Sequence, residues 1–159
     1  MENGFVYASQ EGKKKLEAKL ADLISKRKDV ARDIQTAREF GDLKENAEYA
    51  AAREAQNNLE TEIGEIEHCL TRIKIFSYSK ADTSVVNIGT KVSLQNMATK
   101  QKVDYIITGV LESDITSGKL SNVSPIGSAL LGKKVGDTVI VKIPAGTINY
   151  KIMKISAGA

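Results

Sequence analysis

Residues 37–56 read AREFGDLKENAEYAAAREAQ, and they separate two long helical patterns that share one centre. Upstream, apolar residues fall at Leu16, Leu20, Leu23, Val30, Ile34 and Ala37. The steps alternate between four and three once Arg27 is counted in the series. Downstream, Tyr49, Ala52, Gln56, Leu59, Ile63, Ile66, Leu70 and Ile73 repeat the same alternation. A period of about 3.5 residues is the signature of a coiled-coil seam, and no proline interrupts either series. If the chain folds back on itself, the facing positions are 34 with 49, 30 with 52, 23 with 59, 20 with 63 and 16 with 66. Each pair of numbers totals 82 or 83, so the reversal is centred between Gly41 and Asp42. The two polar members of the seams, Arg27 and Gln56, then face each other as a register-setting layer. The reading is an antiparallel helical hairpin whose arms, about 32 residues each, would run roughly 48 Å. The rest of the chain cannot cover such a rod, which explains its charged outer surface.

At the turn, Gly41 suits a reversal because it takes positive φ without steric cost. "DLKE" has the spacing of a capping box, with Asp42 as N-cap of the second arm and Glu45 reaching back. Ser9 is the corresponding N-cap of the first arm. Glu48 fits a solvated helix face. A second reading uses the same residues: Asp42 and Glu45, one turn apart, could offer oxygen ligands to Mg²⁺, which takes one or two carboxylates beside phosphates and water. Two acids make a useful site only if another molecule supplies the remaining ligands.

Residues 1–78 carry 13 Lys/Arg against 15 Asp/Glu, and residues 79–159 carry 10 against 5, a change of sign that marks a domain boundary. The lysines of the second half are dispersed along the sequence and read first as solvated surface, ahead of a nucleic-acid footprint. From Ile75 onward the period changes. Residues 77–84, SYSKADTS, read as a linker. Strand-like runs occupy 88–94, 102–110, 137–143 and 147–155, rich in Val, Ile, Thr and Tyr. A short helix is expected from Pro125, which suits a first helical turn. The expected fold is therefore α+β in two domains: a hairpin over 1–76, a linker over 77–84, and a small mixed-sheet domain over 85–159. One cysteine, Cys69, excludes an intrachain disulfide, and a reducing cytoplasm is expected. No apolar run reaches the ~18 residues of a membrane span, and no signal peptide is expected. His68 and Cys69 are adjacent, but no other His or Cys exists to complete a zinc site.

The stretch at 37–56 resembles a signature of the bacterial Gre transcript-cleavage factors, of the GreA type. "LSNVSPIGSALLGKKVGDTVIVKIPAG", residues 120–146, resembles the other signature of that family, in the right order. The resemblance implies an FKBP-like fold for residues 85–159. It implies a protein that docks on bacterial RNA polymerase and inserts its coiled coil through the secondary channel. Asp42 and Glu45 match the tip acids of the family motif, which help hold a second Mg²⁺ at the polymerase active site. There a water cuts backtracked RNA near its 3′ end. The factor would then be no enzyme by itself; it donates ligands in trans, as a monomer in the family's manner of acting. Arg38, Lys44, Asn46 and Arg53 lie near the tip as candidates for contact with RNA phosphate or polymerase acids; helix pairing is the alternative for the two arginines. Tyr49 would orient the tip. Ser124, Pro125 and Ile126 would help grip the polymerase, although Ile126 could equally pack on its own sheet.

Three rival functions remain at this level. One is a channel-binding inhibitor of the same architecture, without cleavage, against which Asp42 and Glu45 weigh. Another is a structural coiled-coil adaptor, whose acids are caps only. The third is a free Mg²⁺ nuclease, which needs more ligands than this tip offers. The FKBP-like expectation also raises prolyl isomerisation, but residues 85–159 hold only Tyr105 and Tyr150 to line such a pocket.

Overall fold

A computed structural model describes residues 4–41 and 46–159 of the chain. The chain forms two compact units: residues 13–72, and residues 1–12 together with 73–159.

The unit 13–72 is the helical hairpin. Its first arm is α1 (Gln10–Ser25), of which the first turn belongs to the other unit, and α2 (Arg27–Arg38); its second is α3 (Ala47–Thr71). Leu23, Leu59, Ile63 and Ile66 are buried between the arms, with Leu16, Leu20, Val30 and Leu70 packed against them. Ile34 and Ala37 are buried nearer the turn. These are the seam positions, so the period of 3.5 reports an apolar stripe that only the facing arm covers. Burial of each Leu or Ile contributes on the order of 1.5–3 kcal/mol.

The seam departs from expectation in two places. The first arm is interrupted at Lys26, between α1 and α2. Arg27 does not face Gln56. Its Nε and Nη2 donate to the Glu60 carboxylate at 2.8 and 2.9 Å on the exposed surface. Gln56 instead accepts from Arg53 Nη1 at 3.1 Å. A planar guanidinium gains more from a bidentate carboxylate than from a neutral amide, and it reaches that carboxylate without leaving water. The ion pair raises the Arg27 pKa and lowers that of Glu60 through the hydrogen bond between them.

The second unit is built on a five-stranded mixed sheet. Its strands are β3 (Thr90–Asn96), β4 (Lys102–Thr108), β5 (Lys119–Ser121), β6 (Thr138–Ile143) and β7 (Gly146–Ala157), in the order β5-β4-β3-β7-β6. The β4–β5 pair is parallel and the others antiparallel. The short helix α4 (Pro125–Leu130) has Pro125 in its first turn, as expected. Alternation does the rest: Val92, Leu94, Ile107, Val139, Val141, Tyr150 and Ile152 point to one face and form the core with Val86, Leu120 and Leu130. A bulge places Met153 opposite no β3 residue, since Ser93 pairs with Lys154 and Leu94 with Ile152.

Two further strands lie outside the expected set. β1 (Val6–Ala8) and β2 (Ile73–Ile75) pair in parallel, Val6 with Ile73 and Ala8 with Ile75. Three residues each are too few to show a period. The unit boundaries at 12/13 and 72/73 accordingly differ from the expected division at 76 and 85. Gly109 permits the close approach of β1: a Cβ there would collide with the Tyr7 carbonyl oxygen. The Glu112 carboxylate accepts from Ser9 N and Ser9 Oγ through Oε1, both at 2.8 Å. Ser9 Oγ in turn accepts from Gly12 N at 3.0 Å, which is the capping bond expected of it.

Candidate functional site at the hairpin turn

Asp42, Lys44 and Glu45 lie outside the described residues, so the site is built from what stands on either side of them. The arms are tied together there by one side chain. Asn46 is the N-cap of α3, with Oδ1 accepting from Tyr49 N at 3.0 Å. Its Nδ2 donates to the carbonyl of Ala37 at 2.6 Å, across the hairpin. The cap that starts α3 is therefore Asn46, while the expected capping box of Asp42 and Glu45 lies outside the described residues. Asn serves where Asp would not: its amide supplies an acceptor for the helix and a donor for the opposite arm at once.

Arg38 ends α2 and is exposed. Its guanidinium carbon lies 5.9 Å from the centroid of the Tyr49 ring, a cation–π distance. Tyr49 is half-buried, and it joins the two arms as a seam residue should. Arg53 is exposed and bonded to Gln56 within its own helix, one turn further from the tip. Glu48 stands in the first turn of α3, where the helix dipole favours an acid. Gly41 has φ 126°, a backbone state only glycine adopts freely. Beside it, Phe40 is 68% exposed. Among the described residues, no group of three His, Cys, Asp or Glu side chains could hold a metal ion.

The second expected site divides by residue. Ser124 is engaged within the fold: Oγ accepts from Gly127 N at 3.1 Å and donates to the Ser121 carbonyl at 2.7 Å. Ile126 packs against the core of its own sheet, as its alternative reading held. Pro125 is exposed, next to Val123 at 48% exposure.

Sequence reasoning missed a cavity of about 750 Å³ in the second unit. It is lined by Phe5, Tyr7, Lys74 and Phe76 on one side and by Asn122 and Leu131 on the other. The Lys74 ammonium lies 5.8 Å from the Phe5 ring centroid and 5.9 Å from that of Tyr7. Counting aromatics over residues 85–159 alone could not find it, because its aromatic residues are Phe5, Tyr7 and Phe76. A signal was present in the cluster of Phe5, Tyr7, Phe76 and Tyr78 on either side of the hairpin. Among the described residues, no helix is long and apolar enough to cross a membrane.

The family model for the N-terminal domain of transcription elongation factors matches residues 6–75. The model described as "Transcription elongation factor, GreA/GreB, C-term" matches residues 81–157. The chain is 41% identical over 154 residues to "Transcription elongation factor GreA" of Acetivibrio thermocellus, covering 96% of this chain and 97% of that protein. It is also 41% identical over 155 residues to the protein of the same name from Clostridioides difficile, covering 97% and 98%. Among solved structures, the GreA factor homolog 1 (Gfh1) of Thermus thermophilus is similar at 24% identity, covering 95% of this chain and 98% of that one with a TM-score of 0.43.

Proposed function

We propose a function from one premise: the chain belongs to the GreA/GreB family of transcription elongation factors. It enters the secondary channel of bacterial RNA polymerase with the hairpin and stimulates cleavage of backtracked RNA there, acting as a monomer. The observation that carries this reading is the brace around residues 42–45. Asn46 bonds across to Ala37, and Arg38 sits over Tyr49, so both arms are fixed on either side of the two acids. A brace of this kind suits a turn that must present carboxylates in a set position to another molecule.

The donor set fits Mg²⁺ held jointly with a partner. Asp42 and Glu45 are hard oxygen ligands, and the described residues near them add no cage that would hold the ion without the polymerase. When bound, the ion would supply Lewis-acid and water-activating chemistry. This chain's own part is positional: Asp42 and Glu45 would contribute charge, and the brace ties together the arms that flank them. The catalytic framework belongs to the polymerase, so the chain alone is not a nuclease. Contacts by Arg38, Lys44 and Arg53 with RNA or polymerase, and a grip by the exposed Pro125 region, complete the reading.

The test uses halted, backtracked elongation complexes with Mg²⁺. Wild-type protein is expected to accelerate RNA cleavage. Asp42→Asn and Glu45→Gln are each expected to reduce that acceleration by at least about tenfold, as for loss of a metal-positioning group, while polymerase binding persists. Binding without any cleavage by the wild type would make the protein a channel inhibitor and reject the proposal.

A further inference from the structure

The hairpin joins the sheet unit through two short roots. A single residue, Ser9, separates β1 from α1, and a single residue, Arg72, separates α3 from β2. The first root has a further hold. α1 is one continuous helix across the unit boundary, with its first turn in the sheet unit and the rest in the hairpin. Whatever fixes that first turn therefore acts on the arm, because a helix is a rigid element that carries coupling along its length.

One side chain from far along the sequence does so. Glu112 ends a single 3₁₀ turn, Val110–Glu112, and lies 103 residues beyond Ser9. Its Oε1 accepts from Ser9 N and from Ser9 Oγ, while the same Oγ caps α1 by accepting from Gly12 N. One carboxylate oxygen thus meets both the backbone that enters the helix and the hydroxyl that caps it. Hydrogen bonds to an ionised acceptor are stronger than neutral ones, and Ser9 is buried, where they are stronger still. Two glycines make room for this contact. A Cβ on Gly12, inside the first turn of α1, would fall on Glu112 Oε1. A Cβ on Gly109 would collide with the Tyr7 carbonyl oxygen and come within 3.1 Å of Glu112 Oε2. Glycine is unfavourable inside a helix, so at Gly12 helix propensity is given up where a bare backbone admits the carboxylate. The contacts at Tyr7, Ser9 and Gly12 follow the chain from β1 into the first arm.

We infer that Glu112 is a positioning residue for the acids at the hairpin turn: it anchors the root of the first arm and so limits the motion of its far end. The inference rests on the functional reading of Asp42 and Glu45. Leverage sets the size of the effect. An arm of roughly 48 Å turns a tilt of about 0.1 radian at its root into a displacement of about 5 Å at its end. A misplacement of about 1 Å at a reacting centre already costs up to about 10²-fold in rate.

Variants of the full chain test the anchor. Glu112→Ala removes it. Glu112→Gln keeps an oxygen that accepts from both Ser9 donors. Gly12→Ala leaves Glu112 in the chain but drives its carboxylate away, while the new residue favours the helix. Spin labels at Glu54→Cys and Lys142→Cys, both exposed, in a Cys69→Ser chain report the distance between hairpin and sheet unit. The distance distribution is expected to broaden in Glu112→Ala and Gly12→Ala, and to stay as in the parent in Glu112→Gln. Gly12→Ala should add nothing once Glu112 is already alanine. In halted, backtracked complexes at saturating protein, the two broadened variants should accelerate cleavage at least about threefold less than wild type, with the half-saturating concentration unchanged. Glu112→Gln should restore the wild-type rate. An unchanged distance distribution in Glu112→Ala would overturn the inference, even if its melting temperature fell, because Glu112 would then be a stabilising contact only. Wild-type cleavage by a broadened variant would overturn it too. A wild type that binds without cleaving would fail the functional reading instead, and the label distances would still decide the anchor.

Discussion

Tyr78 shows how one buried hydroxyl sets a pH limit. Neither its hydroxyl nor Oε2 of Glu112 has a hydrogen-bond partner among the described residues. Burial first, then the negative charges of Glu112 and Glu11, push the Tyr78 phenol up to about 12. The folded protein thus holds this proton more tightly than the unfolded chain, where tyrosine titrates near about 10. The stabilisation is complete below pH ~10 and is lost as the pH rises through about 12. Tyr78→Phe keeps the ring, which meets Phe76 edge-on at 5.0 Å, and removes both the proton and the unpaired oxygen. The variant is expected to be at least as stable as the wild type near neutrality, and to lose less stability between pH 10 and 12. Denaturant titrations across that range decide it; a steeper alkaline loss in the variant would refute the assignment. At the turn, the residue-scale lesson is different. Asp42 and Asn46 are both good N-cap types, and local preference chose the first. What marks Asn46 is that it caps α3 and also bonds across the hairpin to Ala37, and a pattern confined to one stretch of sequence cannot contain the second bond.

At the scale of elements, the hairpin was legible because its stability resides in a periodic stripe. Ile63 is 1% exposed and central to that stripe. Ile63→Ala should cost about 2–5 kcal/mol, within the range for large-to-small core substitutions. Gly64→Ala on the exposed face should stabilise α3 by up to about 1 kcal/mol, since nothing stands within 4 Å of the new Cβ. Chemical denaturation followed by far-UV circular dichroism measures both. If the two changes had equal effect, the seam would not be the hairpin's core. The long strands were legible for the same reason, through their period of two. The partner of Arg27 was not, because a long exposed side chain chooses among several neighbours that seam arithmetic treats as one.

The molecule as a whole divides differently from its sequence pattern. Residues 1–12 belong with residues 73–159, through the β1–β2 pair and the Glu112 bonds to Ser9. These contacts are short, irregular and separated by the entire hairpin, so no local signal announces them. They predict that a fragment of residues 85–159, the domain as its sequence outlines it, will be deficient. Without β1, one wall of the aromatic cavity is missing and Glu112 is deprived of both donors. Removing residues 1–9 from the full chain should lower the melting temperature of the sheet unit and increase binding of a hydrophobic dye, while hairpin helicity persists. An unchanged sheet transition would show that the N-terminal strand is dispensable.

The parallel pairing of Val6 with Ile73 has a consequence for the order of events in folding. A loop that long is entropically expensive to close from an open chain, and contacts of such sequence separation form slowly. The hairpin shortens the search. Once its arms are paired, the chain between β1 and β2 is no longer an open loop, and closing their contact costs less entropy. The coiled coil is therefore also a folding device. By bringing together the ends it separates, it lets the opening residues of the chain join a sheet unit made almost entirely from its second half.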